Sequence, residues 1–316
     1  MTKYHIQDYK SQNFALWNQF VQNSENATFL FERDFMEYHS DRFVDASFMI
    51  FQDDELIAIC PANKNSTSLY SHQGLTYGGI VFKDTFNLND MHSVLITVFS
   101  YLKTGGYSDF VMKSMPAFYG DNQLLKFKHQ LIKNKANTVR TDMVLAIDYN
   151  KPLAIHKTKL KHYQKNLSTG FEIKETNDFS DFWDAILTPR LLEKHNAIPV
   201  HSLEEITYLK SKYPRNIKQY NLYLDEELLA GITLFDTGKV VKSQYGATSL
   251  NGEKTRAIEF LFLHLIYKYQ EKERSFFSMG TVTEQNELGY NQGLLKQKEE
   301  LGCDLYLQDF LSLKIS

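Results

Sequence analysis

The amino-acid sequence predicts an α/β (α+β) protein of two tandem units, each a mixed, mostly antiparallel sheet flanked by helices. Three observations support this prediction. The chain has 316 residues, of which 43% are hydrophobic and 23% charged, an ordinary globular balance at a length typical of two domains. A short block of sequence occurs twice. The predicted strands and helix that follow each copy come in the same order. We therefore divide the chain into two units, 1–150 and 151–316, and expect a cleft between them.

The repeated block is an acidic turn followed by an apolar strand. Asp53–Ala58 recurs as Asp225–Ala230, and Ser71–Gly74 recurs at the same offset as Ser243–Gly246. Alternation and turn residues predict a similar series of strands and one long helix in each copy. The strands are 47–51, 56–61, 68–72 and 109–113 with a helix at 90–102, then 219–224, 228–235, 240–245 and 275–279 with a helix at 256–270. A closing strand, 304–315, is expected to pair back with the first unit.

The segment that joins the two copies is basic. Lys157, Lys159, Lys161 and Lys165 fall in a predicted helix between Pro152 and Gly170. The whole chain has a formal charge of -3, so no global field draws it to nucleic acid or to an anionic membrane. Any anion site must therefore be local, and Lys157 and Lys161 are candidate phosphate ligands. The alternative is a solvated helix face. Beyond this segment, we predict a helix at 178–195 and another that begins at the capping box of Ser202 and Glu205.

The composition also bears on compartment and metal binding. The N-terminal residues lack an apolar signal sequence, and the most apolar window, Ala257–Tyr267, is much shorter than the ~20 residues that cross a bilayer. Cys60 and Cys303 are too few for a disulfide framework and lack the spacing of a zinc site. We expect a cytoplasmic protein with no integral membrane segment, no bound metal and no DNA partner.

Several runs of sequence carry a family resemblance. They are Thr28–Leu30 with Phe35, Ser71–Gly79, Pro199–Ser202, Met279–Glu284, Asn291, Gly293 and Gln297–Gly302. On these runs the chain resembles, over nearly its whole length, the FemAB-like branch of the GNAT acyltransferase superfamily, in which two acetyltransferase-type domains stand in tandem. The runs are more similar to the acyltransferases of cell-surface polysaccharide biosynthesis than to the peptidoglycan-bridge enzymes.

The resemblance implies direct acyl transfer to an amine. We expect an N-acyltransferase that moves an acyl group, with acyl-CoA as the candidate donor, to an amino group of a nucleotide- or lipid-linked sugar. Two alternatives stay open: an aminoacyl-tRNA-dependent transferase of the peptidoglycan-bridge type, and a catalytically silent binding protein. The 28 lysines against 7 arginines make tRNA the less favoured partner, because arginine is the better bidentate phosphate ligand.

The sequence lacks the glycine-rich loop that holds the pyrophosphate of CoA at a helix N-terminus. Gly246–Arg256 occupies the corresponding place, with a predicted turn at Asn251-Gly252 and Thr255 as the predicted helix cap. We therefore expect lysines of the basic helix to face the phosphates instead.

Candidate catalytic residues lie after two strands of the second unit. Glu284, in the polar loop 280–293, is a candidate to orient or deprotonate an acceptor amine. Gln244 and Tyr245 end the central strand, where a separation from the neighbouring strand would leave hydrogen-bond donors for a carbonyl. The alternatives are a solvated loop carboxylate for Glu284 and sheet packing for Gln244 and Tyr245.

Four further residues are candidates for binding substrate or its phosphate. Lys298 lies in the closing run on a helix, where we expect it to be exposed, and the resemblance implies that it faces substrate phosphate. Asn291 belongs to the same closing run. His72 and His201 lie in family-like runs and could titrate near neutral pH, although structural hydrogen bonding is the alternative for both.

Overall fold

The computed structural model describes residues 4–83, 88–120 and 122–315. Contacts divide the chain into a first unit, Met1–Asp142 with Leu307–Ser316, and a second unit, Met143–Tyr306. The sequence placed a single boundary at 150/151, whereas the structure divides the chain at 142/143 and again at 306/307.

The first unit contains eight strands and four helices among its described residues, before a ninth strand leads out of it. The strands are β1 (Tyr4–Asp8), β2 (Val44–Asp45), β3 (Phe48–Gln52), β4 (Glu55–Cys60), β5 (Asn63–Asn65), β6 (Ser68–Ser71), β7 (Val81–Phe82), β8 (Asp109–Lys113) and then β9 (Asn137–Asp148). The helices are α1 (Phe14–Gln22), α2 (Arg33–Glu37), α3 (Leu88–Thr104) and α4 (Asn122–Lys133).

The second unit continues the numbering. Its helices are α5 (Lys157–Asn166), α6 (Ser180–Phe182), α7 (Thr188–His195), α8 (Leu203–Lys212), α9 (Leu250–Thr255), α10 (Ala257–Glu271) and α11 (Gln292–Glu300). Its strands are β10 (Glu172–Thr176), β11 (Ile217–Leu224), β12 (Glu227–Asp236), β13 (Val240–Thr248) and β14 (Phe276–Thr281), and β15 (Asp304–Lys314) then returns the chain to the first unit.

The strands of the first unit form two sets. One is a four-stranded sheet in the order β1-β3-β4-β7, and the other has the order β15-β8-β6-β5-β2. The pairs are antiparallel except for β6 with β8, which run parallel. The C-terminal strand β15 pairs with β8 over Phe310–Lys314. Apolar residues of β3, β4 and β8 pack with α3 in one buried core.

The strands of the second unit lie in the order β10-β11-β12-β13-β14-β9. All neighbours are antiparallel except β13 and β14, which run parallel. The helix α10 packs against β12 and β13, and nine of its residues are buried. A helix apolar on nearly all sides is typical of burial within a core. Both units are therefore mixed, mostly antiparallel sheets flanked by helices, which confirms the predicted fold class.

The repeated elements are present in both units with small shifts at their ends, but one pairing differs. In the second unit β12 pairs with β13, whereas in the first unit the equivalent β4 pairs with β7, and β6 pairs with β5. The helix predicted at 178–195 consists of α6, a π-helical turn at Trp183–Leu187 and α7. The capping box of Ser202 and Glu205 opens α8 as predicted.

Two properties of the whole described chain follow. None of its described helices combines the length and the apolar character that a bilayer crossing requires. Cys60 and Cys303 are both buried, and burial raises the pKa of each thiol to about 12. Both cysteines are therefore thiols at neutral pH rather than reactive thiolates.

We predict that Gly252→Ala destabilises the second unit. A Cβ at this position in α9 would lie 2.2 Å from the backbone carbonyl oxygen of Leu229, so the helix would have to move away from β12. Overpacking of this kind costs about 1–3 kcal/mol, which urea denaturation measures. Gly293→Ala in α11 is the matched control, because its Cβ meets only ordinary contacts and alanine favours a helix by roughly 0.5–1 kcal/mol. Equal stability of the two variants would contradict the prediction.

Candidate functional site

The pairing between the two parallel strands of the second unit ends early. Strands β13 and β14 pair from Val240↔Phe276 to Lys242↔Ser278, and no later residue of either described strand pairs with the other. On its other side β13 stays paired with β12 as far as Thr248, with a bulge that leaves Gln244 between the paired residues Ser243 and Tyr245. One edge of β13 therefore lacks a strand partner from residue 243 to residue 248, and its backbone groups need water or a ligand.

A cleft of about 560 Å³ opens at this separation, within the range of ~300–1,000 Å³ typical of small-molecule sites. Its walls come from β13, β14, α7, α9, α10 and α11, and its apolar lining includes Leu187, Leu191, Phe262, Met279 and Leu294. Its charged lining is Arg190, Lys194, Arg256, Lys298, Glu253 and Glu259. Four cations against two carboxylates favour an anionic ligand.

Lys298 reaches this cleft from inside the protein. The side chain lies on α11, as predicted, but it is only 5% exposed, so the expected surface position is wrong. Its ammonium group donates hydrogen bonds to the carbonyls of Gly280 at 3.4 Å and Thr281 at 2.9 Å, which draws it inward. Burial lowers its pKa to about 8. An ammonium group has three N–H donors, so the third is available to a ligand.

Gln244 and Tyr245 point in different directions. Gln244 lines the cleft, and its side-chain oxygen accepts a hydrogen bond from Lys242 Nζ at 2.6 Å. The Tyr245 hydroxyl instead lies 2.6 Å from His201 Nδ1, and its ring packs edge-on against Trp183. Burial raises the pKa of Tyr245 to about 12. Of the two predicted residues, Gln244 alone lines the cleft.

Glu284 and Asn291 organise a loop outside the cleft lining. Asn291 Oδ1 accepts a hydrogen bond from the backbone N–H of Leu294 at 2.8 Å and caps α11. Its Nδ2 donates to Glu284 Oε1 at 2.8 Å, and Glu284 is exposed. The structure gives these two residues a capping and loop-holding role.

The two predicted histidines lie in different units. His201 is buried beside Tyr245 in the second unit. His72 is buried in the first unit, where its Nδ1 accepts a hydrogen bond from the backbone N–H of Gly74 at 3.1 Å. Burial, with a smaller contribution from His39, lowers the pKa of His72 to about 3. His72 is therefore neutral at physiological pH, which corrects the expectation that it titrates near neutrality.

The basic helix contributes to the cleft indirectly. Lys157 and Lys161 are exposed on α5 and do not line the cleft, contrary to the expectation that they face a phosphate there. They lie four residues apart and so share one helix face. Lys159 lies on another face, is buried, and contacts Glu259 at 2.5 Å and Glu300 at 3.3 Å. Its role is to hold Glu259 in the cleft wall.

The connection from β13 to α10 is not a glycine-rich phosphate loop. It forms α9, capped by Ser249, so Asn251-Gly252 lies inside a helix rather than in a turn. The residue that caps α10 is Arg256, in a left-handed conformation with φ 58°, and not Thr255 as predicted. The first turn of α10 carries Glu259, whose negative charge opposes a phosphate at this helix N-terminus.

Four further charged residues line the cleft that the sequence did not predict there, although their positions in the sequence carry signals. Glu259 is the acidic residue of an otherwise apolar run, and Arg256 directly precedes that run. Arg190 and Lys194 lie four apart in the helix that was predicted at 178–195, and both form ion pairs with Glu253. Across the part of the chain that the structure describes, no three His, Cys, Asp or Glu side chains are grouped to hold a metal ion.

Comparison with known proteins identifies the fold. No family model and no curated protein matches the sequence. Among solved structures, FemX is similar with a TM-score of 0.69 and 10% identity, covering 96% of both chains. The C-terminal domain of a putative lysylphosphatidylglycerol synthetase from Agrobacterium fabrum gives 0.61 at 11% identity, covering 96% of this chain and 92% of that one. A tandem GNAT protein from the clavulanic acid pathway gives 0.52 at 8% identity, covering 99% of both. The chain therefore has the fold of FemX and of tandem GNAT proteins, as the sequence resemblance implied.

We predict that Lys159→Met strongly destabilises the second unit, because it leaves the buried Glu259 carboxylate without its closest cation. Breaking a buried ion pair from one side costs about 3–5 kcal/mol, measurable by urea denaturation. Lys161→Met, on the exposed face of the same helix, should change stability by less than ~0.5 kcal/mol. Adding Glu259→Leu to Lys159→Met should restore much of the loss, and a Lys159→Met protein as stable as the parent would refute the ion-pair role.

Proposed function

We propose that the second-unit cleft is the active site of a GNAT-type N-acyltransferase. The observation that carries this proposal is the separation of β13 from β14 beside the cleft, with the bulge at Gln244. Acyl transfer to an amine develops negative charge on the carbonyl oxygen. Backbone N–H groups held along an unpaired strand edge can stabilise that charge without reorganising.

Two buried charged groups complete the site. Lys298 brings a positive charge to the cleft, and its third N–H donor is available to the developing oxyanion or to a substrate phosphate. Glu253 forms ion pairs with Arg190 and Lys194. Glu259, by contrast, has one carboxylate oxygen, Oε1, that accepts no hydrogen bond from any described residue. We assign to Glu259 the acceptance of the proton that the attacking amine loses. The exposed position of Glu284 supports a role in the loop.

The charge of the cleft supports an acceptor that carries phosphate. We propose an amino sugar linked to a nucleotide or a lipid, acylated in the cytoplasm during assembly of a cell-surface polysaccharide. The apolar wall of Leu187, Leu191 and Phe262 would contact the acyl chain or the sugar face.

A second candidate is an aminoacyl-tRNA-dependent transferase of the peptidoglycan-bridge type. The specific observation in its favour is that α9 replaces the phosphate loop that CoA would require. The likeness to FemX supports this alternative about as well as the first.

We expect the donor to be acyl-CoA, with its phosphates on the cleft cations. Calorimetry should show acetyl-CoA binding that weakens as salt increases. Arg256→Gln should weaken it about tenfold, since a charge-assisted contact contributes roughly 1.5–3 kcal/mol, and Lys161→Gln should not. Absence of binding heat at low and high salt would exclude CoA. Transfer from an aminoacyl-tRNA to a nucleotide-linked amino sugar, detected by mass spectrometry, would then establish the second candidate, and binding without transfer would establish the silent binding protein.

We predict that Lys298 acts in its charged form. Its pKa of about 8 means that the ammonium form is present below this pH and is lost above it, so kcat should fall as pH rises through about 8. In Lys298→Met the fall in kcat above pH 8 should disappear, and kcat at pH 7 should be lower by a factor of about 10²–10³, the cost of losing one oxyanion donor. Lys296→Met, exposed on the same helix, should behave like the parent. Activity that instead rises through pH 8 would make Lys298 a base and overturn the assignment.

A further inference from the structure

A second cleft, of about 320 Å³, lies in the first unit at the matching position of the repeat. It opens where the parallel strands β6 and β8 stop pairing, after Ser71↔Met112. The end of β6 runs into Ser71–Gly74, the copy of Ser243–Gly246 at the second-unit cleft. In both units, therefore, two parallel strands stop pairing beside a cavity: β13 and β14 in the second unit, and β6 and β8 in the first.

The first-unit cleft carries a cation that forms no direct ion pair with a described residue. Lys113 is half-buried, and its ammonium group has no hydrogen bond or ion pair with any described residue. It lies over the Phe310 ring, 5.4 Å from the centroid, and burial lowers its pKa. A partly desolvated ammonium without a direct ion pair is stabilised by a bound anion.

Arg140 adds a second cation, whose orientation is fixed. Its Nε and one terminal nitrogen donate to the two carboxylate oxygens of Asp142 at 2.6 and 2.8 Å, and its guanidinium packs 4.6 Å from the same Phe310 ring. The two hydrogen bonds to Asp142 neutralise the charge of Arg140, but its other terminal nitrogen remains available as a donor. The remaining net positive charge of the cleft therefore resides on Lys113.

Neutral donors complete the lining. Because His72 Nδ1 accepts from the backbone N–H of Gly74, the neutral imidazole carries its hydrogen on Nε2. Tyr70 lines the same cleft, and its hydroxyl has no hydrogen bond to a described residue. Four donor groups, from the end of β6, from β8 and from β9, suit the several oxygens of a phosphate better than the two oxygens of a planar carboxylate.

We propose that the first-unit cleft is a binding site for the phosphate group of a phosphate ester, with Lys113 as its principal ligand and Arg140, His72 and Tyr70 as further donors. The site lies wholly in the first unit, so it stands or falls independently of acyl transfer in the second-unit cleft.

The test is calorimetric titration of the full-length protein with inorganic phosphate, uridine monophosphate and glycerol 3-phosphate. We expect binding of at least one probe, weakened about 10–100-fold by Lys113→Met and partly restored in Lys113→Arg. Lys64→Met is the matched control, because Lys64 is an exposed lysine of the same unit whose ammonium also lies over a ring, that of Tyr107 at 5.7 Å. Tighter binding of uridine monophosphate would indicate a nucleotide source, and tighter binding of glycerol 3-phosphate a lipid headgroup.

A second measurement needs no variant and so does not depend on how Lys113→Met folds. Amine acylation of the parent protein, followed by peptide mass spectrometry, should be slowed by phosphate at Lys113 and unchanged at Lys64. Absence of binding by all three probes up to about 10 mM, equal binding by Lys113→Met and Lys64→Met, or equal labelling of Lys113 with and without phosphate would each overturn the proposal.

Discussion

The early end of pairing between β13 and β14 is the constraint on which the candidate active site depends. Neighbouring parallel strands that stay paired hydrogen-bond each other's backbone N–H and C=O groups, so none of these groups remains for a ligand. Here β12 continues to hold β13 on one side as far as Thr248, so the strand stays extended while its other edge is open. The bulge at Gln244 adds a residue to this strand, and bulges re-aim side chains beside active sites. An open edge on an otherwise rigid strand provides donors that do not have to be ordered when a substrate arrives.

The buried charges around this edge are each held in place by a partner from another element. Lys298 is anchored by the carbonyls of Gly280 and Thr281, which follow the last residue of β14 that pairs with β13. Glu259 is anchored by Lys159 from α5. A buried ammonium and a buried carboxylate are each costly alone, yet both are retained on the wall of one cleft. Such retention is typical of groups kept for chemistry rather than for stability.

The repeat made most of the fold predictable, because strand alternation, acidic turns and a long apolar helix occur in both copies. Ser202 was predictable as a helix cap from its local sequence alone. The orientation of side chains on polar helices was not predictable from the sequence. Lys298 lies on α11, a helix with many charged residues, so periodicity did not show which face is buried; two carbonyls from β14 decide that. Lys159 and Lys161 are both lysines of the same basic helix, and the sequence around them does not show which one is buried. Only the position of Glu259 in the folded structure distinguishes them. The connection Gly246–Arg256 was recognised as lacking a phosphate loop, but its helix α9 depends on Gly252 packing against the Leu229 carbonyl, a contact distant in sequence.

The two clefts occupy the same place in the repeat but differ in the chemistry they can support. The second-unit cleft combines an open strand edge, a cation and Glu259, a carboxylate with one oxygen that accepts no hydrogen bond from a described residue. In the first-unit cleft the nearest carboxylate, Asp142, is occupied on both oxygens by Arg140, and His72 is held neutral by burial. That cleft offers donors and a positive charge but no group able to take a proton near neutral pH. The two copies of one strand arrangement thus differ in their lining: the first-unit cleft presents hydrogen-bond donors and a positive charge, and the second-unit cleft presents a carboxylate as well.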